Sequence, residues 1–112
     1  MPKRRTVHVE TTDHGTRIIR PDGACARRLH RRVLFGSVWE HPALSPRDRS
    51  LITVASLIAL YRTNELPFHL KFALQNGVSK DEIIEVITHL AFYSGWPTAS
   101  SAVTIAQRVF DE

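Results

Sequence analysis

The chain has 112 residues and a mass of 12.7 kDa, a size at which one hydrophobic core is usual. Its hydrophobic share of 43% and charged share of 23% are near those of globular domains and disfavour a disordered or membrane class, while the single cysteine, Cys25, excludes an internal disulfide, a CxxC motif and a cysteine-based zinc site within one chain. The formal net charge of +4 is uneven: residues 1–40 hold nine Lys/Arg against four Asp/Glu, and residues 41–112 hold six against seven.

Residues 1–24 mix Arg, Thr, His, Asp and Gly without a sustained period, apart from a short alternation at Thr6–Glu10, and read as a mobile or strand-like arm. Arg27, Arg28, Arg31 and Arg32 with His30 then open a helix running toward Trp39, with Leu29, Val33, Leu34 and Val38 on its apolar side. A basic helix admits nucleic acid as a partner, but no binding motif accompanies it and the charge downstream turns acidic. A solvated face or an oligomer contact is the preferred reading. The expected division is a basic arm over residues 1–34 and a helical domain over residues 35–112.

Ser45, Pro46 and Asp48 have the order of an N-cap, a first helical residue and a first-turn acid, so a helix is expected from Pro46 to about Arg62. Its middle, Leu51 to Leu60, is apolar nearly all round, more than one thin domain can cover, which implies a partner subunit. The longest apolar run, Leu51 to Tyr61, is too short to span a bilayer and has no signal-peptide layout before it, so the expectation is a cytoplasmic protein with no membrane partner. Asn64 is expected to cap a helix over about residues 65–76, with Pro67 in its first turn and Gly77 after its end. Ser79-Lys80-Asp81-Glu82 spells a capping box, and Ile83, Val86, Ile87, Leu90 and Ala91 recur at helical spacing up to a break at Ser94-Gly95-Trp96-Pro97. A last helix is expected from Pro97 to about Phe110. The fold class is therefore all-α, with short connections that favour antiparallel neighbours.

The most suggestive chemistry lies in Glu65-Leu66-Pro67-Phe68-His69. A carboxylate and an imidazole four residues apart share one helix face, beside the hydrophobic wall that Leu51–Leu60 would provide.

Taken together, Leu44-Ser45-Pro46-Arg47-Asp48-Arg49-Ser50-Leu51-Ile52-Thr53, Glu65-Leu66-Pro67-Phe68-His69, Ala73-Leu74-Gln75-Asn76-Gly77-Val78, Glu82-Ile83-Ile84-Glu85 and Tyr93-Ser94-Gly95-Trp96-Pro97 resemble the carboxymuconolactone decarboxylase family over about Phe35–Phe110. The resemblance implies the helical fold of alkylhydroperoxidase D-like proteins and assembly as homo-trimers or hexamers. In the peroxidase branch a CxxC pair precedes the helical histidine. With that histidine placed on His69, Arg62 and Glu65 stand where the cysteines would be, and Ser50 about where the proton-relaying glutamate would be, so thiol-dependent peroxide reduction is disfavoured. The resemblance points to the decarboxylase branch: a cofactor-independent carboxy-lyase acting on a small carboxylated lactone, or a related cyclic acid, in aromatic catabolism.

Such a reaction needs a clamp for the carboxylate, a sink for its electrons and a proton donor. Arg49 is the candidate clamp and His69 the candidate donor, with Glu65 to orient it. Against these stand ordinary roles: Arg49 paired with Asp48, Glu65 or a helix end, His69 as a partly exposed helix histidine, and Glu65 as a first-turn residue favoured by the helix dipole. His89, Tyr93 and Trp96 are candidates for substrate binding, or else packing and interface residues; Trp39 and His41 either close the pocket from the N-terminal side or belong to a turn at Pro42. His8, His14 and His30 lack companions at helical spacing, so no metal is expected. The alternative function is a non-catalytic helical oligomer on the same scaffold.

Overall fold

In a computed structural model of the chain, residues 9–11, 17–19 and 23–112 are described. The chain divides into two compact units, Met1–His41 and Pro42–Glu112.

Within the first unit, β1 (Val9–Thr11) and β2 (Arg17–Ile19) pair antiparallel, Val9 opposite Ile19 and Thr11 opposite Arg17. The alternating piece at Thr6–Glu10 thus contributes Val9 and Glu10 to a strand; Thr6 to His8, and His14, lie outside the described residues. The basic helix begins as α1 (Ala24–Leu29), after Gly23 at φ 78°, and continues through a π-helical stretch, His30–Val38. Its wider winding shows in the bond from the Trp39 amide to the Leu34 carbonyl, 2.8 Å and five residues back. Cys25 is a free, buried thiol on α1.

The second unit consists of α2 (Pro46–Ala59), α3 (Leu66–Gln75), α4 (Lys80–Ser94) and α5 (Trp96–Phe110). The fold is all-α, as the sequence led us to expect. Among these four, α2 packs on α3 and α4, and α5 packs on α4 and α3, so that α3 and α4 face each other across the diagonal of a square. Val54 and Ile58 of α2, Leu66, Leu70 and Ala73 of α3, Ile83, Ile87 and Ala91 of α4, and Ala99, Ala102, Ile105 and Ala106 of α5 fill its centre. Alanines on α5 keep that helix close to its neighbours, and the i, i+3, i+4 recurrence on each helix is what produces one shared core.

Local chemistry sets the boundaries. Ser45 Oγ accepts from the Asp48 amide at 3.1 Å, starting α2 where expected. The helix stops at Ala59, earlier than the sequence suggested, because Tyr61 turns left-handed at φ 60°. The Tyr61 amide bonds to Ile58 O (3.1 Å) and the Arg62 amide to Leu57 O (2.8 Å), the reciprocal pair of a Schellman closure. Asn64 does not cap α3: the N-cap position falls on Glu65, with no side-chain bond to the first turn. The Schellman turn moves the helix start one residue on, and the Arg62 carbonyl accepts from the Leu66 amide instead. The capping box is present, Ser79 Oγ accepting from the Glu82 amide at 3.0 Å and Glu82 Oε1 from the Ser79 amide at 2.9 Å. Gly95, at φ 103° and ψ 148°, separates α4 from α5.

Candidate active site

Two places in the second unit carry the chemistry that the sequence singled out. The first is the seam between α2 and α3. Ser50, fully buried on α2, accepts a hydrogen bond from Asn76 Nδ2 at 3.0 Å, which fixes the beginning of α2 against the end of α3. Residues at i and i+7 share a helix face, so the face of α3 that presents Asn76 to α2 also carries His69. Arg49 precedes Ser50 on the first full turn of α2, its carbonyl accepting from Thr53 Oγ1 at 2.8 Å. Both side chains are half-buried, and the Arg49 Nε and His69 Nδ1 atoms are enclosed. With the two helices antiparallel, Arg49 one residue before Ser50 and His69 seven before Asn76 stand about 12 Å apart in level along the seam, from eight residues at 1.5 Å each.

The imidazole sits among aromatic rings, Phe68 edge-on at 5.0 Å and Phe72 at 6.3 Å between centroids. Glu65 gives its carboxylate to Arg62, Nε to Oε1 at 2.9 Å. That hydrogen bond, followed by the guanidinium's charge, holds the Glu65 carboxyl below the ordinary range and raises Arg62. Arg62 and Glu65 thus form an ion pair, and Ser50 is buried at the start of α2.

The second place is a groove of about 580 Å³ between α2 and α4, lined by Leu51, Ile52 and Ala55 on one side and Val86, His89 and Leu90 on the other. Arg47 and Glu82, which form an ion pair, stand in its lining together with Glu85. The Glu82 carboxyl is held below the ordinary range, first by the Ser79 amide and then by the Arg47 charge. His89 stacks on Tyr93, centroids 4.8 Å apart at 29°.

Arg49 and His69 therefore flank one seam, Glu65 adjoins it but faces Arg62, and His89 with Tyr93 belongs to the diagonally placed α4. Trp96 packs edge-on to Phe92 at 5.6 Å at the start of α5, and both are largely exposed. Trp39 lies in the first unit, stacked on Phe35 at 6.0 Å. Glu85 and Arg47 were not singled out from sequence, although Glu85 stands one turn before His89 in the same acid–imidazole spacing as Glu65 and His69.

The family model of the carboxymuconolactone decarboxylase family matches residues 26–108. The chain is 43% identical over 81 residues to 4-carboxymuconolactone decarboxylase of Acinetobacter baylyi, a match covering 72% of this chain and 60% of the relative. It is 35% identical over 78 residues to nitrosuccinic acid decarboxylase npaB of Metarhizium robertsii (70% of this chain, 54% of the relative). A third relative, an uncharacterised 15.0 kDa protein from the nqo9-nqo10 intergenic region of Paracoccus denitrificans, is 30% identical over 80 residues, with 70% of this chain and 60% of the relative covered. The chain thus spans somewhat over half the length of the curated relatives it matches.

Proposed function

The chain belongs to the carboxymuconolactone decarboxylase family, and from that premise we propose that it is a cofactor-independent carboxy-lyase acting on a small carboxylated lactone or a related acid in aromatic catabolism. The observation that carries the reading is the α2–α3 seam, where a guanidinium and an imidazole stand half-buried on adjoining helices with Arg49 Nε and His69 Nδ1 enclosed. Two relatives lend support. Their names describe decarboxylases of small acids bearing an electron-withdrawing function, a lactone or a nitro group. A substrate of that kind carries its own electron sink.

In the proposed reaction the planar fork of Arg49 grips the carboxylate or the lactone carbonyl. The bond from carbon to the carboxylate breaks, carbon dioxide leaves, and the electron pair passes into the conjugated carbonyl as a dienolate. His69 donates a proton to the carbon, and water restores it. The aromatic rings beside His69 limit water around the developing carbanion. Glu65 holds Arg62 at the rim of the seam, so in this scheme it shapes the entrance rather than orienting the imidazole. Tyr93 and Trp96 would contribute to substrate binding where a homo-oligomer, a trimer or hexamer, brings surfaces together, whereas His89 lines the separate α2–α4 groove and Trp39 belongs to the first unit.

The test is direct: purified protein incubated with a carboxymuconolactone should release one equivalent of carbon dioxide per substrate consumed. No release above the uncatalysed rate would leave a helical binding protein on the same scaffold.

A further inference from the structure

The α2–α4 groove is independent of the seam that holds Arg49 and His69, and its charges favour a different class of ligand. Its volume, about 580 Å³, falls in the usual range for small-molecule sites, roughly 300–1,000 Å³. The floor and walls are apolar, from Leu51, Ile52 and Ala55 on α2 and Val86 and Leu90 on α4. Ile52 is 56% exposed, so this surface is not used up by the core.

The polar groups in the lining do not cancel. Arg47 is engaged by Glu82, with Asp48 a further 3.7 Å neighbour of its guanidinium. Glu85, on the same face of α4, has no cationic partner among the described residues, which leaves the lining one negative charge in excess. One turn later His89 presents an imidazole backed by the stacked Tyr93 ring. A carboxylate beside an apolar wall matches an organic ammonium, whose charge meets the acid and whose hydrocarbon body fills the wall. An anionic ligand would meet Glu85 and find Arg47 occupied.

We propose that the groove between α2 and α4 binds a small organic cation with an apolar body, its ammonium held by Glu85 and its body against Leu51, Ile52, Ala55, Val86 and Leu90. Charge favours this occupant over a second copy of the chain, because a subunit contact that buried Glu85 would have to bring a cation to pair it.

Benzylammonium and benzoate, which share a ring and differ in the sign of charge, are suitable probes for titration of the full chain, followed by amide and methyl NMR shifts and by calorimetry. Benzylammonium should bind saturably and shift Ile52, Ala55, Val86 and His89, benzoate should leave them unmoved at the same concentration, and Glu85→Gln should weaken the ammonium about tenfold or more. Equal binding of benzoate in the groove, an affinity unchanged by Glu85→Gln, or no groove shifts with benzylammonium would each overturn the proposal. Conversion of an oligomer to monomers by Ile52→Glu would also overturn it, by assigning the groove to a second copy.

Discussion

At the residue scale, His69 and Tyr61 carry the sharpest consequences. If His69 supplies the proton, His69→Ala should lower carboxylactone turnover by about 10²–10⁴-fold, the usual contribution of a positioned acid, with circular dichroism and sedimentation unchanged. Full retained activity would remove the imidazole from the reaction. Tyr61 holds a left-handed backbone, φ 60°, at the position after α2 where glycine is the usual choice. Its ring is 58% exposed, and its hydroxyl has only a distant contact with Ser101 Oγ at 3.5 Å, too little to compensate for the strain. Tyr61→Gly should therefore be more stable than Tyr61→Ala by about 1 kcal/mol, because a Cβ in this region costs roughly 1–2 kcal/mol. Equal melting temperatures for the two variants would show that the turn relaxes.

At the element scale, α2 and α4 begin at side-chain caps, Ser45 and Ser79. The start of α4 joins the capping box to the Arg47–Glu82 ion pair, so one carboxylate both closes its own helix and reaches α2. Ser79→Ala should cost about 1 kcal/mol by urea denaturation, the typical loss for an N-cap serine. Acid should act at the same point. The Glu82 carboxyl lies below the ordinary range in the folded chain, as does Glu65, so the stability they confer is fully present above the unfolded carboxylate value and is lost as pH falls through their lowered folded values. Glu82→Gln should flatten that acid limb of the stability profile; an unchanged limb would mean that other carboxylates govern it.

At the scale of the whole molecule, the second unit covers its core but leaves large apolar groups outside. Phe92, Tyr93 and Trp96 are 75%, 78% and 65% exposed at the α4–α5 corner, and Phe68 is 57% exposed on α3. Contiguous aromatics of this kind mark interaction sites, so sedimentation should give a multiple of the 12.7 kDa chain mass and Trp96→Asp should lower it. A monomer at every concentration would leave the aromatic corner without a subunit partner. Helix positions were legible in the sequence because caps, prolines and glycines act within a few residues of themselves: Ser45-Pro46, Ser79 with Glu82, and Gly95 mark observed boundaries. The early stop of α2 was not, since it depends on a strained tyrosine where composition offers no glycine. The family was legible too, from the order and spacing of short motifs. What only the tertiary structure decided was which groups meet. Periodicity gives the face on which Glu65, His69 and His89 lie, but not the neighbour that face receives, and it was the Schellman turn that brought Arg62 to Glu65 and the square packing that set His89 against α2, across the diagonal from His69.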